Sequence, residues 1–561
     1  MNKKLRKWFR AGSPWVWFNA GAVAISIVMV AGLIGLLAFN GLRHFWPNDV
    51  MQARYQPPGL PVTEVIGELV ESETVAAERL QASGVDVELS KELYQRDLWK
   101  FGNREITGTD FGWLLTDYIS EKEFPAALTV LERQQWGNFY GTPLALRERD
   151  KTIVTSSAEA ENDSSLWAAL QLRLERVHEL REEISALQGQ VLAQINSELE
   201  RLRLRERSLV LDARMNPALQ QEINDIRAAR ESELLEVQQR LNRLDDEISQ
   251  DSVLMRTVNS GEVEIALEDI VRAYQPNQLG VVNKLALYFS RLWEFLSAEP
   301  REANTEGGVF PAIFGTVVMV LLMSIIVTPF GVIAAIYLRE YAKQGLMTRL
   351  IRIAVNNLAG VPSIVYGVFG LGFFIYFIGG EIDQLFFEEA LPAPTFGTPG
   401  LLWASLTLAL LTVPVVIVAT EEGLTRIPRS IREGSLALGA TKFETIWRVV
   451  LPMASPAMMT GLILAIARAA GEVAPLMLVG VVKLAPSLPV NGIYPYVHLD
   501  QQFMHLGFHI YDVGFQSPNV EAARPLVFAT ALLLVIVIAV LNLTAAALRN
   551  RLREKYHALD V

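Results

Sequence analysis

Hydrophobic and polar positions separate into long blocks along this chain instead of alternating finely. A bilayer core about 30 Å thick needs about 20 apolar residues in helical form. Six stretches are long enough: Val16 to Phe39, Val309 to Leu338, Ile353 to Ile378, Leu401 to Thr420, Ala457 to Val482, and Pro525 to Leu548. The first follows a basic segment. Its apolar run is too long for a cleaved signal peptide and no small-residue cleavage site follows, so it reads as an uncleaved anchor.

Lys and Arg collect in alternate connections. Lys3, Lys4, Arg6, Lys7 and Arg10 precede the first span, and Arg339, Lys343, Arg349 and Arg352 follow the second. Arg426, Arg429, Arg432, Lys442 and Arg448 follow the fourth, and Arg549, Arg551, Arg553 and Lys555 follow the last. Such residues mark the cytoplasmic side, so both termini are expected there, with the 549–561 tail. Residues 41–308 then face the other compartment, together with the acidic connection holding Glu381, Asp383, Glu388 and Glu389.

The 41–308 insert carries a different pattern. From Ser165 to Ser249 the chain is nearly free of Gly, and Leu170, Val177, Ile184 and Val191 recur every seven residues, with Leu180 and Leu187 offset by three. Leu234, Val237, Leu241, Leu244 and Ile248 alternate spacings of three and four. This is the seam of a coiled coil. Asn216-Pro217 interrupts it, since a residue before Pro avoids helical geometry. The pattern predicts a long antiparallel hairpin over about 165–250, a parallel oligomeric coiled coil being the alternative. Aromatic and β-branched residues in Leu98 to Asp117 and Val253 to Leu267 predict strands that pair with each other. The role of the insert stays open between docking a binding protein or partner subunit and mechanical bracing.

Composition narrows the function. The chain is 51% hydrophobic yet 20% charged, with formal net charge −11 and no Cys. No basic patch suits nucleic acid, and disulfides, thiolate metal sites and cysteine nucleophiles are excluded. No G-x-x-x-x-G-K-[ST] loop cradles ATP. His505 and His509 would share a helical face, a weak metal signal set against a surface role.

Three places carry candidate chemistry. Glu433 to Leu438 predicts a short helix on the cytoplasmic face, with Gly439 allowing a turn after it. There Leu436 and Leu438 would enter a partner's groove, with Glu433 and Arg432 at its rim; an amphipathic loop without a partner is the alternative. Arg468 and Glu472 lie four residues apart in the fifth apolar run, on one helical face. Ionisable groups at bilayer depth cost at least a few kcal/mol (~2.5–3.5 kcal/mol on insertion scales) and usually face a bundle interior or a water-filled path. Arg suits bidentate contact with a tetrahedral oxyanion, so the pair fits a transport pathway or a permanent ion pair between helices. Gly471 would allow close helix approach, and Pro475 would break the span. In Asn356 to Gly367, Pro362 and several Gly predict a kink. Asn357, Ser363 and Tyr366 would line a polar path or bond helices together.

Glu433-Gly434-Ser435, then Gly439, then Val449-x-Leu451-Pro452 is similar in spacing to the Glu-Ala-Ala…Gly…Ile-x-Leu-Pro loop by which ATP-binding-cassette importer permeases dock their ATPase. With N-L-A-G-V-P-S-I-V-Y-G from Asn357 and A-R-A-A-G-E-V-A-P-L from Ala467, residues 305–548 resemble the phosphate transport system permease PstA family. The resemblance implies a membrane all-α fold with six transmembrane helices and a type I importer permease core at 309–548. The insert adds the coiled-coil hairpin and a small α/β part. A non-enzymatic permease of the bacterial inner membrane follows, with 41–308 periplasmic and Gly434, Leu451 and Pro452 joining the coupling loop of 421–455. The implied partners are the sister permease PstC, a PstB ATPase dimer, the phosphate-binding protein PstS and inorganic phosphate. ATP and Mg would sit on the ATPase, with no cofactor on this chain. A permease for another oxyanion or solute, PstC itself, and an anchored sensor or scaffold are the alternatives. Glu433-Gly434-Ser435 departs from Glu-Ala-Ala and lowers helix propensity at Gly434 by ~1 kcal/mol. Val473 stands where the family often has Thr, and the insert exceeds the loop of compact members.

Overall fold

The computed structural model describes residues 13–85, 87, 91–149, 151–155, 164–258, 261–343, 345–517 and 520–557; the basic residues Lys3 to Arg10 lie outside these. Six helices among the described residues are long and apolar enough to cross a membrane: Trp15–Arg43, Phe310–Tyr341, Ser363–Phe386, Leu401–Arg426, Lys442–Ala470 and Ala523–Arg551. The expected spans return with shifted ends.

Helix α1 (Ser13–Arg43) precedes the insert. Strands β1 (Val50–Tyr55), β2 (Thr63–Ala76), β3 (Leu93–Lys100), β4 (Phe111–Leu115) and β5 (Ile119–Glu123) form one antiparallel sheet in the order β4-β3-β2-β1-β5. Strands β6 (Thr129–Arg133), β7 (Phe139–Glu148), β8 (Lys151–Thr155), β9 (Asp251–Arg256), β10 (Glu262–Ala266) and β11 (Ile270–Tyr274) form a second, ordered β10-β9-β7-β6-β11 with β8 on β7. The β part is thus larger than the small one expected. The two strand segments read from the sequence do not pair with each other. Each closes a local hairpin, β3 with β4 and β9 with β10, in separate sheets.

A helical hairpin leaves the second sheet. Helices α2 (Ser164–Ala186) and α3 (Ala193–Leu211) run out through a wide π turn at Leu187–Leu192, and α4 (Pro217–Ile248) returns. Asn216 caps α4 by accepting from the Leu219 N–H at 2.8 Å, and Pro217 takes the first turn, where its missing N–H costs nothing. Ion pairs Arg176–Glu247, Glu183–Arg240, Glu198–Arg230 and Arg205–Glu222 fix the antiparallel sense, since one number falls as the other rises. Leu166, Leu170, Val177 and Ile248 pack the base into the second sheet's core. Farther out, α3 rests on the turn at Glu388–Ala390, and Arg201 lies 5.2 Å over the Tyr494 ring.

The chain re-enters the membrane core through α5 (Val281–Ser297) and α6 (Phe310–Ile336). At this junction Glu132 accepts from Arg272 at 3.1 Å and Arg291 at 2.5 Å, while Glu294 accepts from Arg272 and Arg301, both at 2.8 Å. Burial alone would raise the Glu132 pKa, but the two guanidiniums prevail and hold it below the ordinary carboxylate range. A cavity of about 670 Å³ opens beside this cluster, lined also by Lys100, Glu306 and Arg524.

In the core, α9 (Leu401–Arg426) is the central helix, packed against α6 and α11 (Leu451–Gly471) through buried Trp403, Leu408, Leu411 and Val416. The expected third span is split. An amphipathic α7 (Leu346–Leu358) stops at Ala359–Pro362, and the crossing starts anew with α8 (Ser363–Phe369), continuing as wide π turns to Gly379 and helically to Phe386. The last helix, α14 (Val520–His557), carries the 549–557 part of the basic tail as continuous helix. It crosses α1 closely, since a Cβ on Gly41 would lie 2.7 Å from the Ala529 backbone.

The acidic connection is not a set of free surface charges. Asp383 is 1% exposed and accepts from the Phe396 N–H at 2.8 Å and the Gly397 N–H at 2.6 Å. His505 and His509 overturn the surface reading, at 1% and 2% exposure. The segment around them folds back against α6 and α14 as α13 (Leu506–Tyr511), with His505 capping it through the Gly507 N–H at 3.1 Å. Burial pushes both imidazoles down to about 4. No group of three or more potential metal ligands forms among the described residues.

Candidate functional site

Two places collect the candidate residues. The first is a short helix, α10 (Arg429–Ala437), that follows α9 after a turn at Ile427-Pro428. Pro428, with ψ near 144°, prevents α9 from running on and sets α10 at an angle to it. Leu438 ends α10, and Gly439 takes a left-handed φ of 88°. The Gly439 N–H donates to the Leu436 carbonyl at 3.0 Å and the Ala440 N–H to Ser435 at 3.3 Å. Both bonds of a Schellman stop are present, and a glycine meets its φ without strain.

The chain restarts with a capping box: Glu444 N–H donates to Thr441 Oγ1 at 3.2 Å, and Thr441 N–H to Glu444 Oε2 at 2.9 Å. Thr441-Lys442-Phe443-Glu444 is the sequence signature of that cap. This signal is legible in the sequence alone.

The surface of α10 suits a partner, but Arg432 does not sit at its rim. It donates to the Leu424 and Ile427 carbonyls at 2.7 Å each and pairs with Glu340 at 2.9 Å. This guanidinium is spent locking α10 to the ends of two spans. Glu433, Gly434, Leu436, Leu438 and Gly439 are all exposed, Leu438 at 91%. Phe443 and Trp447 add a stacked aromatic pair, 6.2 Å between rings and both exposed. Leu451 and Pro452 lie elsewhere. They open α11, half-buried, just after the wide turn Ile446–Val450. Pro452 lacks the N–H that would close the ladder there, so these two residues shape the helix start and stand back from the exposed surface.

The second place is the end of α11. Arg468 is in its last turn, while Glu472 is past it, extended at φ −81° and ψ 131°. The expectation that both sit mid-span fails for Glu472: the apolar run continues to Val482, but the helix does not. Val473-Ala474-Pro475 turns the chain into the short α12 (Leu476–Val479). Arg468 Nε approaches Glu472 Oε1 at 3.6 Å, with the side chains 32% and 20% exposed. At that distance the contact is electrostatic and not a formed hydrogen bond. Gly471 faces open space, so it does not mediate helix approach. That role belongs to Gly367, where a Cβ would meet Pro475 Cα at 2.7 Å.

Tyr366 joins the two breaks. Buried to 3%, it donates its hydroxyl to the Leu358 carbonyl at 2.5 Å, capping α7 across the 359–362 break. Arg468 and Glu472 are thus brought together, and next to Tyr366 the Gly367 backbone lies against Pro475, three residues past Glu472. Ser363 opens α8, half-buried, and Asn357 lies before the break on the exposed side of α7.

Residues 327–554 match the family model of the binding-protein-dependent transport system inner membrane component, and both places fall inside the match. Over 244 residues the chain is 36% identical to phosphate transport system permease protein PstA 1 of Mycobacterium tuberculosis, covering 43% of this chain and 71% of that protein. The chain belongs to the PstA permease family. It is also 32% identical over 208 residues to the permease protein PstC of Xylella fastidiosa, covering 35% of this chain and 64% of that protein. A solved structure of the inward-facing MetNI methionine ABC transporter aligns at 17% identity and TM-score 0.32, over 43% of this chain and 94% of that chain. The family model leaves the insert outside its match, and the chain is a multi-pass membrane component of an ABC importer.

Proposed function

We propose that this chain is the permease subunit of an ATP-driven importer of inorganic phosphate. It forms the pathway with a PstC-type sister permease. A PstB-type ATPase dimer, holding ATP and Mg, drives it from the cytoplasmic side, and a PstS-type protein delivers phosphate to the periplasmic side, where residues 41–308 lie. This chain binds no cofactor and hydrolyses nothing itself.

The observation that carries the reading is the 36% identity to a named phosphate permease, with the family match spanning both α10 and the Arg468–Glu472 pair. In this reading α10 docks on the ATPase through Leu436, Leu438 and the Phe443–Trp447 stack, with Glu433 and Gly434 at its edge. Nucleotide-driven closure then pulls on α10, and Arg432 passes the motion to the ends of α6 and α9. At the pathway, Arg468 holds Glu472 only loosely, so its planar donors can turn to a passing tetrahedral oxyanion. Glu472 takes the guanidinium back once phosphate has left, and Tyr366 steadies the break that lets α8 approach.

Replacing Arg468 tests the pathway role. Arg468→Ala is expected to abolish phosphate uptake in reconstituted vesicles while the ATPase still co-purifies. Uptake at the unmodified rate with an intact complex would exclude a pathway role and leave a structural ion pair.

A further inference from the structure

Helix α5 carries its polarity the wrong way round for a helix washed by water. It has three charged residues, and all three turn inward. Lys284 pairs with Asp49, Arg291 with Glu132, and Glu294 with Arg272 and Arg301. The face left outside holds Val281, Val282, Leu285, Ala286, Phe289 and Trp293, flanked by Asn283, Ser290 and Ser297. Val282, Phe289 and Trp293 are 78%, 61% and 69% exposed. An exposed helical face without a charge, centred on Phe and Trp, reverses the usual arrangement of an amphipathic helix on a globular surface.

Its position says what covers that face. Phe45, two residues beyond α1, packs on Phe295 at 5.2 Å and on Tyr288 at 6.5 Å, and Trp46 meets Tyr288 at 6.1 Å. At the other end the Val309 N–H donates to the Phe295 carbonyl at 2.8 Å, one residue before α6 begins. The helix is therefore tied to the insert-side ends of two membrane spans. Those same ends carry exposed apolar residues, Phe39 and Leu42 on α1 and Phe310 on α6.

We propose that α5 is an interfacial helix lying in the membrane surface on the insert's side, its Val282–Leu285–Phe289–Trp293 face sunk among the lipid acyl chains and headgroups. Trp and Phe are favoured at that depth, and burial of an uncharged face with charges held behind it is how such helices bind. The Glu132 cluster then has a further consequence. It clamps a membrane-bound helix to the second sheet and so fixes the height of the insert above the bilayer.

The absence of Cys makes the test direct. Single substitutions Leu285→Cys, Phe289→Cys and Trp293→Cys receive an environment-sensitive fluorophore, with Val210→Cys, 57% exposed near the hairpin tip, as the aqueous reference. The full chain with its partner subunits is reconstituted in phosphatidylglycerol–phosphatidylethanolamine vesicles. The three α5 labels are expected to lose emission to a spin-labelled lipid and to ignore aqueous iodide, with Val210 doing the reverse. Iodide quenching on α5 equal to that at Val210 would overturn the proposal. Protection from both quenchers would overturn it too, because a protein would then cover the face. Because three positions report independently, failure of one labelled chain leaves the test standing.

Discussion

The membrane core and the insert differ in how much each adds charge to apolar packing. In the core, helices close on one another through small residues and apolar contact: Gly367 against Pro475, Gly461 against Ala419, and the buried row along α9. The insert has apolar cores behind its sheets and adds charge to them, from exposed ladders such as Arg240–Glu183 on the hairpin to the buried Glu132 cluster at the junction. In lipid, apolar burial gives little drive and close packing decides association; in water, a long thin hairpin has little interior and must use its edges. The family match covers residues 327–554, within the core, and leaves the insert outside it.

That contrast breaks most easily at Glu132. Glu132→Ala leaves Arg272 and Arg291 buried without their shared carboxylate, a loss of about 3–5 kcal/mol typical of one-sided removal from a buried pair. Thermal unfolding of the insert is expected to drop sharply while the six spans stay folded by circular dichroism. Unchanged unfolding would mean that the cluster contributes no more than surface pairs do.

Protons act next. His505 and His509 are neutral in the folded chain down to about pH 4, whereas an unfolded imidazole protonates near 6.5. The unfolded state then binds more protons between those values, so this contribution to stability is complete above 6.5 and is lost as pH falls toward 4. Glu306, pushed up to about 7 by burial, works in the opposite sense: its contribution is present at low pH and is lost as pH rises from 4.5 to 7. Comparing unmodified chain with His509→Gln isolates the histidine part. The variant is expected to lose less Tm between pH 7 and 5, and an equal loss would refute the assignment.

The smallest stability effect belongs to Gly439. Gly439→Val forces a β-branched residue to φ 88° on an exposed turn, a strain of about 1–2 kcal/mol confined to that stop. The spans should remain folded, yet the ATPase is expected to fall away in co-purification because α10 no longer ends where its partner meets it. Retention of the ATPase at full yield would remove α10 as the docking element.

Legibility followed the range of the interactions. The hairpin was readable because its seam repeats within one helix, and Asn216-Pro217 marks the turn by local chemistry. The α10 stop was readable for the same reason. Strand pairing was not, since β3 sits between β2 and β4 for reasons spread over fifty residues. The end of α11 was hidden as well: Val473 to Val482 is as apolar as the helix before it, and only the chain's fold shows Glu472 outside. The role of Tyr366 depends on a carbonyl eight residues back that a break exposes. The inward position of Arg432 is not legible in the sequence, because its partners, Glu340 and two helix-end carbonyls, belong to other elements.

The central claim is that the core passes phosphate under the drive of an ATPase docked at α10. It is tested most directly by ATP hydrolysis in the reconstituted complex, with its binding protein supplied in turn with phosphate, sulfate and molybdate. Stimulation by phosphate alone is the expected result. Stimulation by sulfate with none by phosphate would contradict it.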